Sequence, residues 1–158
     1  MRLLFPGSFD PPHLGHLDVI QRAAAVAHGG GGELIVAIAE HPEKTGWLPV
    51  TRRVELVTAL CIDIPGTRVV SYRGATVRFA QQHGITTLVR GLRNPLDFEH
   101  EKSMAEVNRS HGFDTVFFMT AGAHAHLSSN LVRAAQAAGL PVAGLVPPLV
   151  ANGLTSSS

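Results

Sequence analysis

A chain of 158 residues is long enough for one domain with a real hydrophobic core. Apolar residues at 45% and charged residues at 16% describe a globular protein and argue against a disordered one. A formal charge of +1 gives no bulk attraction to nucleic acid or to a membrane surface, so any anion must be bound by locally placed Arg, Lys and His.

Arg2–Phe5 reads as a short buried strand. The amino end lacks a basic region followed by a long apolar run, so no signal peptide is expected, and no stretch approaches the ~20 apolar residues of a membrane span. Pro6-Gly7-Ser8-Phe9-Asp10-Pro11-Pro12-His13-Leu14-Gly15-His16 follows, and Leu17 to about His28 reads as the first helix. An apolar run, then Gly and Pro, then a helix is the pattern of a first βα turn. His13 and His16 are three apart where that helix begins, next to backbone N–H groups that favour anions. Gly29-Gly30-Gly31-Gly32 stops the helix. A phosphate loop is the rival reading, but these glycines precede a strand instead of following one.

Glu33–Ala39 is a continuous apolar run, the mark of a central parallel strand covered on both faces. Glu40–Val50 is a loop at that strand's carboxyl end, where open α/β sheets place ligands, and it carries Lys44. Thr51 is the expected N-cap of a helix over Arg52–Asp63. Within it, Cys61 is the only cysteine, so no intramolecular disulfide can form and a reducing cytoplasm is the expected setting. Its apolar neighbours make it a small buried hydrophobe, not a nucleophile.

Pro65-Gly66 is a turn, Thr67–Ser71 a third strand and Gly74–His83 a third helix. Ile85–Val89 is a fourth strand, followed at once by Arg90-Gly91-Leu92-Arg93. Two arginines three apart can present two guanidinium forks to one polyphosphate, or can pair with Asp97 and Glu101. Pro95 can open the helix Leu96–Ser110. Asp114–Met119 is a fifth strand, Thr120–His126 a small-residue loop, and Ser128-Ser129 can cap a helix running to about Ala138, ended by Gly139 and Pro141. Val142–Ser158 is weakly patterned. Its proline-broken apolar run covers the core or packs on another subunit, and 155–158 is expected to fray.

Five strands alternating with helices predict an α/β fold: a single-domain, Rossmann-like, doubly wound five-stranded parallel sheet with helices on both faces, spanning residues 1–158. The chemically loaded segments each follow a strand, so they converge along one sheet edge where strand order reverses. What converges is rich in hydrogen-bond donors, with no nucleophile and base and no metal cage, Asp10 being the one acidic candidate near the first motif. His124 and His126 alone make a weak metal site. This favours phosphoryl or nucleotidyl transfer by positioning and electrostatic stabilisation.

The first motif resembles that of the nucleotidyltransferase superfamily sharing T/HxGH. Val89-Arg90-Gly91-Leu92-Arg93 with Asp97-Phe98-Glu99-His100-Glu101, and Leu127-Ser128-Ser129 with Leu131-Val132-Arg133, narrow the resemblance to the phosphopantetheine adenylyltransferase family, over about Arg2–Pro148. The resemblance implies adenylyl transfer from ATP to 4′-phosphopantetheine, giving dephospho-coenzyme A and pyrophosphate, by direct in-line attack without a covalent intermediate. It implies His16, Lys44 and Arg90 as catalytic residues. It implies nucleotide contacts from Ser8, Phe9, His13, His16, Gly91, Leu92, Arg93, Glu101 and the run His124, Ala125, His126, Leu127, Ser128, Ser129, Asn130. Substrate contacts fall to Ser8, Lys44, Thr76 and Arg90. Mg²⁺ would accompany ATP, held mainly by its phosphates and water, with no side chain assigned to it. A cytoplasmic homohexamer, with coenzyme A as a feedback inhibitor, completes the implied picture.

The chain departs from the family pattern at Asn130, at His100, at Arg52 and within Ala123-His124-Ala125-His126, where an aromatic is usual. Rival functions are a nicotinamide-mononucleotide adenylyltransferase, a cytidylyltransferase, or a nucleotide-binding regulator without turnover. The RGLR and DFE stretches and the short length argue against the first two, and the His16, Lys44 and Arg90 set against the third.

Overall fold

The computed structural model describes residues 1–41, 43 and 46–155. Among them five strands form one parallel sheet: β1 Arg2–Gly7, β2 Glu33–Glu40, β3 Thr67–Arg73, β4 Thr87–Leu92 and β5 Asp114–Met119, in the order β3-β2-β1-β4-β5. The chain winds outward from β1 to β3, then crosses back to the other side of β1, so strand order reverses between β1 and β4. The Rossmann-like, doubly wound prediction holds.

Among the described residues six α-helices connect and flank the strands: α1 Leu14–Gly29, α2 Val50–Cys61, α3 Thr76–Gln82, α4 Pro95–Ser110, α5 Ser129–Ala137 and α6 Pro148–Thr155. Alternation along the central strands supplies both faces of the sheet. Leu3 and Phe5 of β1 and Leu34, Val36 and Ile38 of β2 pack with Val19, Ile20 and Ala23 of α1 and Val57 and Cys61 of α2. Leu4, Ile35 and Ala37 point the other way, into a cluster with Leu88, Tyr72 and Ala80 of α3. Each fully buried Val, Leu or Ile side chain stabilises by about 1.5–3 kcal/mol before chain entropy is counted.

Several boundaries differ from the sequence expectation. β1 runs past Pro6 to Gly7, although a proline is disfavoured in a central strand. The reason lies in the pairing: β1 matches β4 only at Leu3↔Thr87 and Leu4↔Leu88, while its match to β2 continues to Gly7↔Ile38. Beyond Leu4 the two strands splay, and β1 is locally an edge. β4 extends through Arg90, Gly91 and Leu92 because β5 pairs alongside as far as Leu92↔Met119. α1 starts at Leu14, not Leu17, with His13 extended at the N-cap position. Pro49, not Thr51, precedes α2, and Thr51 lies inside the helix. The glycine run sits at the amino end of β2. There Gly32 is so close to the Met1 backbone that a Cβ would collide with it. That is the opposite end of the sheet from the reversal point, so a phosphate-loop role is excluded by position.

The tail forms α6 instead of fraying at Thr155, while 156–158 lie outside the described residues. Val142, Val146, Val150 and Leu154 close a third cluster with Leu56 of α2 and Val132 of α5. Arg52, which stands where the family pattern has an acid, pairs with Glu55 at 2.9 Å and donates to the Gly153 carbonyl at 3.2 Å, tying α2 to α6.

Candidate active site

The splay between β1 and β4 opens a cavity of about 280 Å³ at the carboxyl ends of the strands. Its walls come from the Pro6–Phe9 turn, His13, Gly15 and His16 at the start of α1, Arg90, Gly91 and Arg93, and Thr120, His124, Leu127, Ser128 and Ser129. A second cavity of about 410 Å³ adjoins it, lined by Ala39, Glu40, His41, Tyr72, Gly74, Ala75 and Thr76. Pro6, Gly7, Ser8 and Arg90 line both. Thr76 is fixed there by a 2.7 Å hydrogen bond between its hydroxyl and that of Tyr72.

The two histidines differ in surroundings. Their rings stack with centroids 3.7 Å apart, and Phe9 lies 4.8 Å from the His16 ring. His16 Nδ1 accepts the backbone N–H of His13 at 3.2 Å, half of a capping box. An accepting Nδ1 leaves the proton on Nε2, so neutral His16 is a hydrogen-bond donor of fixed tautomer. Burial is the main force holding its pKa well below 6.5, helped by His13 and Arg93. Burial first, then Arg93 and His124, pushes His13 down to about 4. Both imidazoles are therefore neutral at pH 7, which removes the cationic variant of the anion site. His13 Nδ1 is buried and has no hydrogen-bond partner among the described residues. Such an atom costs about 1–3 kcal/mol unless a ligand or water meets it.

The arginines are paired, not forked toward one point. Arg90 grips Glu101 with Nε at 2.7 Å and Nη2 at 2.5 Å, and reaches the Pro6 carbonyl with Nη1 at 3.4 Å across the splay. Arg93 holds Asp97 through Nε and Nη2, at 2.9 and 3.1 Å. That pair keeps the Asp97 carboxyl below its usual range. Arg93 Nη1 also lies 3.4 Å from the Leu127 carbonyl. Arg90 faces both cavities and Arg93 only the first, so each guanidinium is held in place by a carboxylate.

Of the other predicted residues, Leu92 is buried in the core at 3% exposure and does not line the cavity. Glu101 spends both oxygens on Arg90. Ala125, His126 and Asn130 lie outside the lining, and the Asn130 side-chain oxygen accepts from Arg133. Lys44 lies outside the described residues. Pro95 opens α4 and Ser128 caps α5, accepting from Leu131 N–H, as read; the α4 cap itself is Asn94, which accepts from Asp97 N–H and was not foreseen.

Sequence reasoning missed the residues that hold the turn and loops together. Asp10, weighed as an acidic candidate for metal, accepts Trp47 N–H and Leu48 N–H, each at 2.7 Å, so both oxygens are occupied. Asp18 accepts Ala121 N–H at 3.1 Å, while Arg22 donates to the Met119 carbonyl at 2.6 Å. Together they fix the segment leading to His124. Ser129 donates to the Pro11 carbonyl at 2.9 Å. The i, i+4 spacing of Asp18 and Arg22 was a visible pair, but its reach to β5 was not. The donors facing the cavity suit phosphate oxygens. Among the described residues no three His, Cys, Asp or Glu side chains group around a metal ion.

Residues 4–135 match the cytidylyltransferase-like family model. A phosphopantetheine adenylyltransferase from Prochlorococcus marinus (strain NATL1A) is 37% identical over 156 residues, 98% of this chain and 96% of the relative. One from Symbiobacterium thermophilum is 40% identical over 156 residues, 98% of this chain and 94% of the relative. Among solved structures, a proposed nicotinate-nucleotide adenylyltransferase from Vibrio parahaemolyticus shares the fold. Its TM-score is 0.71 at 18% identity, covering 98% of this chain and 91% of that chain.

Proposed function

Since the chain belongs to the phosphopantetheine adenylyltransferase family, we propose that its two cavities hold ATP and 4′-phosphopantetheine and that Pro6–Ser8 and Arg90 form the wall where their phosphates meet. The observation that carries this is the sharing of those four residues by two adjoining cavities. A 4′-phosphate oxygen bonds to the α-phosphorus of ATP, the bond to the bridging β-oxygen breaks, and pyrophosphate leaves with its electrons. An ionised phosphate needs no general base, so the protein's task is to orient two anions and stabilise charge on the five-coordinate phosphorus.

His16 supplies a neutral Nε2–H to the transferring phosphoryl group. Ser8, Phe9, His13, Gly91 and Arg93 serve the ATP phosphates, and His13 Nδ1 gains its missing partner there. His124, Leu127, Ser128 and Ser129 border the nucleoside end. Thr76 lies beside the pantetheine arm, and Arg90 and Lys44 steer its phosphate, Lys44 by resemblance alone. Glu101 acts by orienting Arg90 instead of touching the nucleotide.

Mg²⁺ enters with ATP. The side chains here fit phosphate oxygens better than a resident cation, because Asp10 is already committed to two backbone amides. The protein works in the cytoplasm as a homohexamer open to feedback by coenzyme A. The exposed Leu96, Met104 and Val107 of α4 support self-assembly. No helix among the described residues is long and apolar enough to cross a membrane.

Purified protein with ATP, Mg²⁺ and 4′-phosphopantetheine is expected to release pyrophosphate. Silence on that pair, with turnover on nicotinamide mononucleotide, would sink the assignment.

A further inference from the structure

We propose that Arg53 is a positioning residue that turns the Ser8–Phe9 peptide so that the Phe9 N–H faces the phosphate cavity. The proposal rests on the reading of that cavity as a phosphate site.

Arg53 lies on α2 and is 5% exposed. Its guanidinium meets three backbone carbonyls from three segments: Ser8 at 2.7 Å and Ala39 at 3.1 Å through Nη1, and Leu48 at 3.1 Å through Nε. The nearby carboxylates are engaged elsewhere, Asp10 with the Trp47 and Leu48 amides and Glu40 with Arg73. Burying a guanidinium is unfavourable unless its donors are met, and among the described residues Nη1 and Nε are met by these carbonyls.

The Ser8 carbonyl and the Phe9 N–H belong to one peptide unit. In a trans peptide they point in opposite directions, and among the described residues the only cis bond is Asp10–Pro11. Drawing the Ser8 oxygen toward α2 therefore aims the Phe9 N–H away from α2. Both Ser8 and Phe9 line the first cavity. A carbonyl oxygen turned into that cavity would repel phosphate oxygens, so removing it matters as much as presenting the N–H.

Phe9 itself shows that the turn is held. Its φ of 49° is in the left-handed region, which bulky residues adopt only where the surroundings over-determine them. Its ring is fully buried, edge-on to Phe5 and against His16. On the far flank Arg133 of α5 donates to the Asp10 carbonyl. Two arginines from two helices thus take the carbonyls on either side of Phe9.

The test compares wild type with Arg53→Met and Arg53→Lys in a pyrophosphate-release assay, alongside melting curves. Loss of a preorganised donor lowers kcat by about 100-fold in Arg53→Met. Lysine reaches some of the carbonyls but has no fork, and recovers to within about 10-fold of wild type. KM for either substrate changes by less than about threefold, because the interaction strengthens in the transition state. A merely structural arginine would lower the melting temperature and leave kcat per folded molecule within twofold, and that result overturns the proposal. Wild-type protein that releases no pyrophosphate overturns the functional reading itself, a separate outcome.

A second arm needs no variant. The chain has 7 phenylalanines, so ¹⁵N-phenylalanine labelling gives a short amide spectrum. Titration with inorganic pyrophosphate should move the Phe9 amide proton downfield by more than any other labelled amide. Pyrophosphate binding that leaves the Phe9 amide unmoved also overturns the proposal.

Discussion

Acid should weaken this protein through His13, and the size of the effect can be worked out. The folded pKa of about 4 lies below the unfolded value of 6.5, chiefly because burial disfavours the charged ring. Between those two values the unfolded chain binds a proton that the folded chain refuses. The stabilising contribution is therefore complete above pH 6.5 and is lost as pH falls toward 4, with a slope near 1.36 kcal/mol per pH unit. From pH 7.5 to pH 5 the loss from His13 comes to about 2 kcal/mol, or about 4–8 °C in Tm for a chain of this size. Carboxylates such as Glu33 and Asp97, whose pKa values are also depressed by arginine partners, lose stability in acid too. The comparison must therefore be with His13→Thr, which keeps a good N-cap residue and removes one titration. His16 is depressed first by burial and contributes to both proteins. Urea unfolding at pH 7.5 and pH 5 should show wild type losing about 2 kcal/mol more than the variant. Equal losses, within about 0.5 kcal/mol, would refute a buried neutral His13.

His16→Ala should lower kcat for pyrophosphate release by about 10²–10³-fold with a modest change in KM for ATP, since a transition-state donor is removed; a change under tenfold would take His16 away from the reacting phosphorus. Gly91→Ala places a Cβ 3.1 Å from Val19 Cγ2, one turn along α1 from His16. Overpacking there should destabilise by about 1–3 kcal/mol in thermal unfolding, and activity should fall more than stability. Val150→Ala removes two methyls from a fully buried site between α2, α5 and α6, so urea unfolding should show a loss of about 2 kcal/mol with kcat unchanged. Cys61, whose thiol burial pushes up to about 11, should react with a thiol-specific disulfide reagent at pH 8 only after the protein is unfolded.

The alternation of strands and helices was legible because apolar runs such as 33–39 and 114–119 have no other use in a chain this short. What escaped were ends and ties. Arg90 and Gly91 do not look like strand residues, yet β5 carries the ladder through them. Pro6 looks like the end of a strand, and nothing local reveals that β4 has already peeled away. α6 carries Gly153, a poor helix former in an interior, and exists because Val150 and Leu154 find α2 and α5. The site residues with chemical character, His13, His16, Arg90, Arg93 and Ser128-Ser129, were readable as motifs and do converge on the cavity. Arg53 and Asp10 were not readable in their roles, since an arginine in a helix reads as solvent-facing until its partner Ser8, 45 residues away, is known, and Asp10 reads as free until Trp47, 37 residues away, is seen to donate to it.

The parting of β1 from β4 after Leu4↔Leu88 has a consequence for how a ligand arrives. A binding site cut by the sheet's own topology stands open before anything enters it. Among the described residues no segment has to swing aside, and little of their backbone has to be frozen on arrival. Substrate capture should then be governed by diffusion and by charge near the mouth, with a small heat-capacity change. The slow steps of the cycle would be left to chemistry and to the departure of products.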